Sequence, residues 1–321
     1  MTRIANIDAV KITGLIALYV GHSTLLTAYP QINGLLQLYL DTAFMFLAGF
    51  FCMKSLENRE YKFSSFWKNK TKTFLVPFWI IIILWIFTQR MPLRPATAYI
   101  AYGLGLRAFA LPSELDLFSL WFASCLLGYF LIFSLLGKHK KITLLTTIII
   151  IVCGYTILKP LMYWNWTFYL MPFAVGFFWK LKFNDKKALL LVPLMLLVFL
   201  PNTFTSDLSS LLIGLGLAVT SLFLFSKLKL GVKTNKIVTY VSSGTLITYL
   251  MEPIWGMWTG LLLFPQYSGG ILENASVQFA MTPLQSATRL MFAIPLAFIV
   301  CPLIYKAIQK ILKFFGRRRR E

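Results

Sequence analysis

One imidazole and a few carboxylates set in apolar sequence are the groups of this chain best equipped for chemistry. His22 closes a hydrophobic stretch that also carries Asp8 and Lys11 (IDAVKITGLIALYVGHS), and Asp41 and Glu252 lie in two further apolar stretches with no opposite charge nearby in sequence. An ionisable side chain inside a bilayer costs about 2.5–3.5 kcal/mol on insertion scales, so such groups normally face a polar cavity and mark function. On a helix, Lys11 and His22 fall on one face, about 16 Å apart along the axis. Asp8 precedes Lys11 by one helical turn and can pair with it. The stripe reads as one wall of a polar path through half the bilayer; the plainer alternative is an interfacial Asp8–Lys11 pair with His22 bonded to a neighbouring helix. Asp41 or Glu252 would suit His22 as a partner. A carboxylate beside an imidazole raises its basicity and fixes its tautomer, which is what a general base needs. The second histidine, His139, stands among lysines (KHKK) and reads as a solvated bystander.

The elements that carry these groups are membrane helices. The chain is 58% hydrophobic and 13% charged, with a mean hydropathy of +0.72, outside the range of soluble domains. A spanning helix needs roughly 20 apolar residues. The predicted spans number about ten: 7–28, 32–53, 73–89, 117–137, 142–159, 165–180, 188–204, 208–226, 237–262 and 286–306. Of the 31 Lys and Arg, all except Lys11, Arg90, Arg94, Arg107, Lys159 and Arg289 fall on one side of this layout. Lysine and arginine accumulate in cytoplasmic loops, so both termini are expected in the cytoplasm. The expected fold is therefore an all-α integral membrane protein. Residues 1–306 form the multipass domain and 307–321 a basic, amphipathic cytoplasmic tail suited to anionic lipid headgroups.

The same bias accounts for the net charge of +20, so nucleic acid is not an expected partner. Cys52, Cys125, Cys153 and Cys301 lack metal-type spacing and read as small apolar residues. The first span, interrupted by Asp8, Lys11 and His22, reads as a retained helix and not as a removed signal peptide. Segment 90–116 is long for a connection, and its stretch Ala96–Leu111 suits a re-entrant or surface helix. Neither an internal repeat nor an inverted pair of broken helices stands out, which weakens an ion-coupled transporter reading.

Several stretches together resemble the membrane-bound acyltransferase-3 family, which includes O-acetyltransferases of bacterial surface polysaccharides. That family opens with Asp, then Arg three residues on, then His eleven beyond; here these are Asp8, Lys11 and His22. The aromatic run of the second span appears as AFMFLAGFF, with Ala48-Gly49 in place of Ser-Gly. A basic loop running into Pro-aromatic appears as FWKNKTKTFLVPFW, with Lys70 at the first of two family arginine positions and Thr73 at the second. Leu120, Trp121 and Phe122 match the Leu-Trp-Phe of the fourth span, and SSGTLITYLMEP resembles a late motif whose histidine is here Glu252.

The resemblance implies a multipass O-acyltransferase of the bacterial plasma membrane, most simply an O-acetyltransferase. Its donor would be cytoplasmic acetyl-CoA, a co-substrate, with no metal. Its acceptor would be a hydroxyl of a cell-surface polysaccharide or a lipid-linked precursor. Lys11, Lys68, Lys70 and Lys72 would meet the CoA phosphates. His22 would act as general base, with Asp41 or Glu252 orienting it. Glu114, Asp116 and Trp121, near the outer helix ends, would contact the sugar; the other outer tryptophans, Trp164, Trp166, Trp255 and Trp258, suit an interfacial belt. The alternative function is a polysaccharide export or transport component without acyltransferase activity.

Overall fold

The computed structural model describes residues 5–26, 29–88, 96–106, 121–156, 164–179, 207–227, 231–264 and 281–318. Among these residues the regular structure is all helical. In chain order the helices are α1 (Ala5–Gly21), α2 (Pro30–Glu57), α3 (Phe63–Lys70), α4 (Val76–Thr88), α5 (Ala96–Gly103), α6 (Trp121–Leu136) and α7 (Lys140–Tyr155). They continue as α8 (Trp164–Phe178), α9 (Asp207–Lys227), α10 (Val232–Ser243), α11 (Thr245–Leu250), α12 (Glu252–Leu263) and α13 (Pro283–Arg318). A 3-10 turn at Thr24–Leu26 follows α1, and a π-helical turn at Thr71–Leu75 joins α3 to α4. Among the described residues, three helices are long and apolar enough to cross a membrane: Pro30–Glu57, Ser210–Lys227 and Pro283–Phe314. Helix α7 presents Ile142, Leu145, Ile149 and Val152, each more than half exposed, along one face. An aliphatic stripe of that size left uncovered suits contact with lipid.

The predicted span 188–204 lies outside the described residues, and so do residues 107–111 of the re-entrant stretch, whose first part forms α5. One expectation is corrected. The stretch 237–262, read as a single span, is three helices, broken at Gly244 and at Met251. At the first break the backbones come too close for any side chain: a Cβ on Gly244 would stand 2.6 Å from the Pro302 nitrogen. Just after the second break, Pro253 occupies the first turn of α12, where its missing N–H costs nothing. At the other end of the chain, α13 runs from Pro283 to Arg318.

The chain divides into two compact units. The first holds Met1–Gln37, Lys70–Leu93 and Lys229–Glu321. In it α1 packs on α10, α11 and α13, and α11 and α12 pack on α13. Val10, Leu15 and Leu18 of α1, Ile247 and Leu250 of α11, Ile254 of α12 and Ala293 and Ala297 of α13 form its interior. Tyr240 of α10 donates from its hydroxyl to the Ile299 carbonyl at 2.7 Å, in the turn before Pro302.

The second unit holds Leu38–Asn69 and Arg94–Leu228. Small residues set its closest crossing. A Cβ on Gly49 of α2 would strike the Phe173 carbonyl of α8, and one on Gly176 of α8 would strike the Phe46 carbonyl of α2. Lipid chains are as apolar as leucine, so helices in a bilayer associate through this kind of close packing and not through the hydrophobic effect. Aromatic rings fill the adjoining space: Phe133 meets Phe177 at 4.7 Å and Phe173 at 4.9 Å between ring centroids.

Candidate functional site

Helix α1 ends where its serine takes over the backbone bonding. The His22 amide still donates to the Leu18 carbonyl at 2.9 Å, but the Ser23 hydroxyl donates to the Val20 carbonyl at 2.7 Å. The same hydroxyl oxygen accepts the Leu25 amide at 3.3 Å, which starts the 3-10 turn. The start of α2 holds this end in place. Gln37 donates from Nε2 to the Gly21 carbonyl at 3.3 Å, and a Cβ on Gly21 would stand 3.2 Å from Asn33 and Gln37. His22 is thereby fixed one residue past the helix.

The break after α11 brings a carboxylate to it. Glu252, first residue of α12, places Oε2 3.2 Å from His22 Nδ1. An acidic residue there is favoured by the partial positive charge of a helix N-terminus. Glu252 is 4% exposed, whereas a third of the His22 side chain is open. A carboxylate can only accept, so in the neutral imidazole the shared proton sits on Nδ1. Nε2 then keeps its lone pair, and a base with one nitrogen oriented by a carboxylate is an arrangement suited to proton abstraction.

Two further polar side chains of the same unit are buried. Tyr19, one turn before His22, is 1% exposed, and Arg289, near the start of α13, is 3% exposed. The Tyr19 hydroxyl and the Arg289 Nε are buried without a hydrogen-bond partner. The sequence reading assigned neither to the site. A tyrosine in an apolar span passes for packing, and Arg289, near the start of its predicted span, passes for a charge at an outer helix end. The available signal was that Arg289 falls inside the predicted span 286–306.

At the opposite end of α1, Lys11 Nζ stands 3.7 Å from Asp8 Oδ1, and the Asp8 side chain is buried. Lys70 precedes the π-helical turn, and Lys72, within it, is exposed. Such turns leave backbone groups without their usual helical partner and recur at functional sites. Here Gln309 of α13 donates from Nε2 to the Lys72 carbonyl at 2.8 Å.

Three of the remaining candidates belong to the second unit. Lys68 is exposed on α3. Asp41 accepts the Tyr169 hydroxyl through Oδ2 at 3.0 Å. Tyr169 in turn stacks on Trp121, with centroids 5.4 Å apart and planes at 28°. Glu114 and Asp116 lie outside the described residues. Of the outer tryptophans, Trp258 is partly exposed and Trp255 is buried, its Nε1 donating to Cys301 Sγ at 3.2 Å. A groove of about 830 Å³ between α7 and α8 has Lys140 and Lys141 beside Leu144, Ile148, Ile151 and Met171, and no carboxylate or imidazole among the described residues that line it. Among the described residues, no group of three or more His, Cys, Asp or Glu is placed to hold a metal.

A protein-family model described as an acyltransferase domain, that of the acyltransferase-3 family, matches residues 4–313. No curated protein and no solved structure matches the chain.

Proposed function

The chain belongs to the acyltransferase-3 family of membrane proteins, and on that premise we propose that it moves an acetyl group from acetyl-CoA to a hydroxyl of a cell-surface polysaccharide or its lipid-linked precursor. The observation that carries this reading is the 3.2 Å contact between His22 Nδ1 and the buried Glu252 carboxylate. Nε2 of His22 takes the proton of the acceptor hydroxyl as that oxygen attacks the thioester carbonyl. The C–O bond forms and a tetrahedral intermediate results. Its collapse breaks the C–S bond, and the imidazolium returns the proton to the departing thiolate, leaving an acetyl ester and free CoA. Glu252 holds the ring in orientation and stabilises its transient positive charge.

The donor enters from the cytoplasm. Lys68, Lys70 and Lys72 contact the CoA phosphates as point charges, and Lys11 extends that positive field along α1 towards His22. The acceptor comes from the opposite side, with Glu114 and Asp116 bonding sugar hydroxyls and Trp121 stacking on a ring. Asp41, through Tyr169, positions that tryptophan. The chain crosses the bacterial plasma membrane about ten times and has both termini inside, as the distribution of lysine and arginine supports.

Purified protein in lipid nanodiscs, given radiolabelled acetyl-CoA and an acceptor glycan, tests the reading. Wild type is expected to release CoA and form alkali-labile acetyl ester, and His22→Ala to form about 100- to 10,000-fold less, the usual contribution of a general base. Ester formation by His22→Ala at the wild-type rate removes the mechanism.

A further inference from the structure

The groove between α7 and α8 lies within the second unit and has no part in the mechanism. Its two helices run antiparallel. A Cβ on Gly154, late in α7, would stand 2.6 Å from Thr167, early in α8, and one on Gly137, just before α7, would stand 3.0 Å from the Phe177 ring. Leu144, Ile148 and Ile151 form one wall, and their i, i+4, i+7 spacing puts them on one face of α7. Met171, Val175 and Phe178 form the other wall with the same spacing on α8. Leu144 and Ile148 are each about half exposed, so the groove opens sideways onto the aliphatic stripe of α7 and is entered from lipid.

One end of the groove is charged. Lys140 and Lys141, the first residues of α7, line that end together with Trp179, which follows α8. Lysine and tryptophan side by side mark the headgroup level of a bilayer. A basic loop accounts for the charge of this segment but not for its placement: Lys138 and His139 of the same loop are exposed and stand outside the groove. From Lys140 to Ile151 α7 rises about 16 Å, close to half of the roughly 30 Å hydrocarbon core, which is the depth of one leaflet. We infer that this groove seats one anionic phospholipid, its phosphate against Lys140 and Lys141 and an acyl chain between the aliphatic walls. The partial positive charge of the α7 N-terminus acts in the same sense. A zwitterionic lipid fits the walls equally well but brings an ammonium to the two lysines, so charge selects the anionic one. The seat is independent of the acyl-transfer reading, whose acceptor comes from the other side of the membrane.

The experiment places the full chain in phosphatidylcholine nanodiscs with a sub-saturating amount of phosphatidylglycerol that bears a diazirine in one acyl chain. After photolysis, mass spectrometry of peptides locates the adducts. Wild type is expected to carry them on Leu144, Ile148 and Ile151 and on the facing residues of α8, and to lose them to unlabelled phosphatidylglycerol but not to soluble glycerol phosphate. The double variant Lys140→Gln/Lys141→Gln should give about 30-fold fewer groove adducts, the attraction of two lysines for an anionic lipid. Adducts on the neighbouring stripe of Ile142, Leu145, Ile149 and Val152 should persist in it. Lys138→Gln should keep groove labelling within about twofold of wild type, because solvent screens a charge that does not touch the lipid. Ile148→Trp fills the groove from a half-exposed position with both lysines intact, and should also remove the groove adducts. Undiminished groove labelling in the double lysine variant overturns the inference, and so does undiminished labelling in Ile148→Trp. A wild-type groove shielded from the probe, by a second copy of the chain or by another of its own segments, overturns it as well.

Discussion

At the scale of single residues the site pairs a partly exposed ring with a buried charge. His22 keeps a third of its side chain open while Glu252 is withdrawn behind it. Removing the charge but not the shape of Glu252 isolates its contribution: Glu252→Gln is expected to lower kcat about 100-fold with KM changed less than twofold, read by initial rates of CoA release. His22 and Glu252 stand out in the sequence because lone ionisable groups in apolar stretches are expensive and therefore rare. Tyr19 and Arg289 escaped for physical reasons. A tyrosine is apolar enough to be at home in a span, and an arginine near a span end is indistinguishable by position from a topological charge. Only packing separates a solvated guanidinium from one that is 3% exposed.

At the scale of elements, close backbone approaches and helix breaks aim these side chains. Gly49→Ala would press a methyl into the Phe173 carbonyl, and overpacking of this kind costs about 1–3 kcal/mol. A clear fall in the melting temperature of the purified protein, with acetyl-CoA KM little changed, is the expected result. Gly244→Ala acts on the break above Glu252, where Pro302 leaves no room. It is expected to reduce kcat as well as stability, since moving α11 moves the start of α12. Gln309→Ala removes the partner of the Lys72 carbonyl. A lost hydrogen bond of about 1 kcal/mol should raise the KM for acetyl-CoA roughly fivefold, with kcat intact. Helix positions were legible from hydropathy, but the breaks were not. Residues 237–262 carry no charge apart from Glu252, and Gly244 gives no sign of the Pro302 backbone that faces it. The π-helical turn at Thr71–Leu75 likewise leaves no compositional trace.

At the scale of the whole molecule, charge and hydropathy gave the class of protein. The family match over residues 4–313 agrees with the order of short motifs read along the chain. Topology has its own test. In a cysteine-free background, Glu114→Cys should react with a membrane-impermeant maleimide on intact cells, and His139→Cys only after the cells are opened. Labelling of His139→Cys from outside would invert the arrangement and with it the direction of transfer. The account as a whole depends on one imidazole passing a proton between an alcohol and a thioester. Its most direct test is mass spectrometry of the surface glycan from cells carrying His22→Ala at normal membrane abundance. The account predicts polymer of unchanged length that has lost its acetyl esters; wild-type esterification, or intact esters on a missing or shortened polymer, would contradict it.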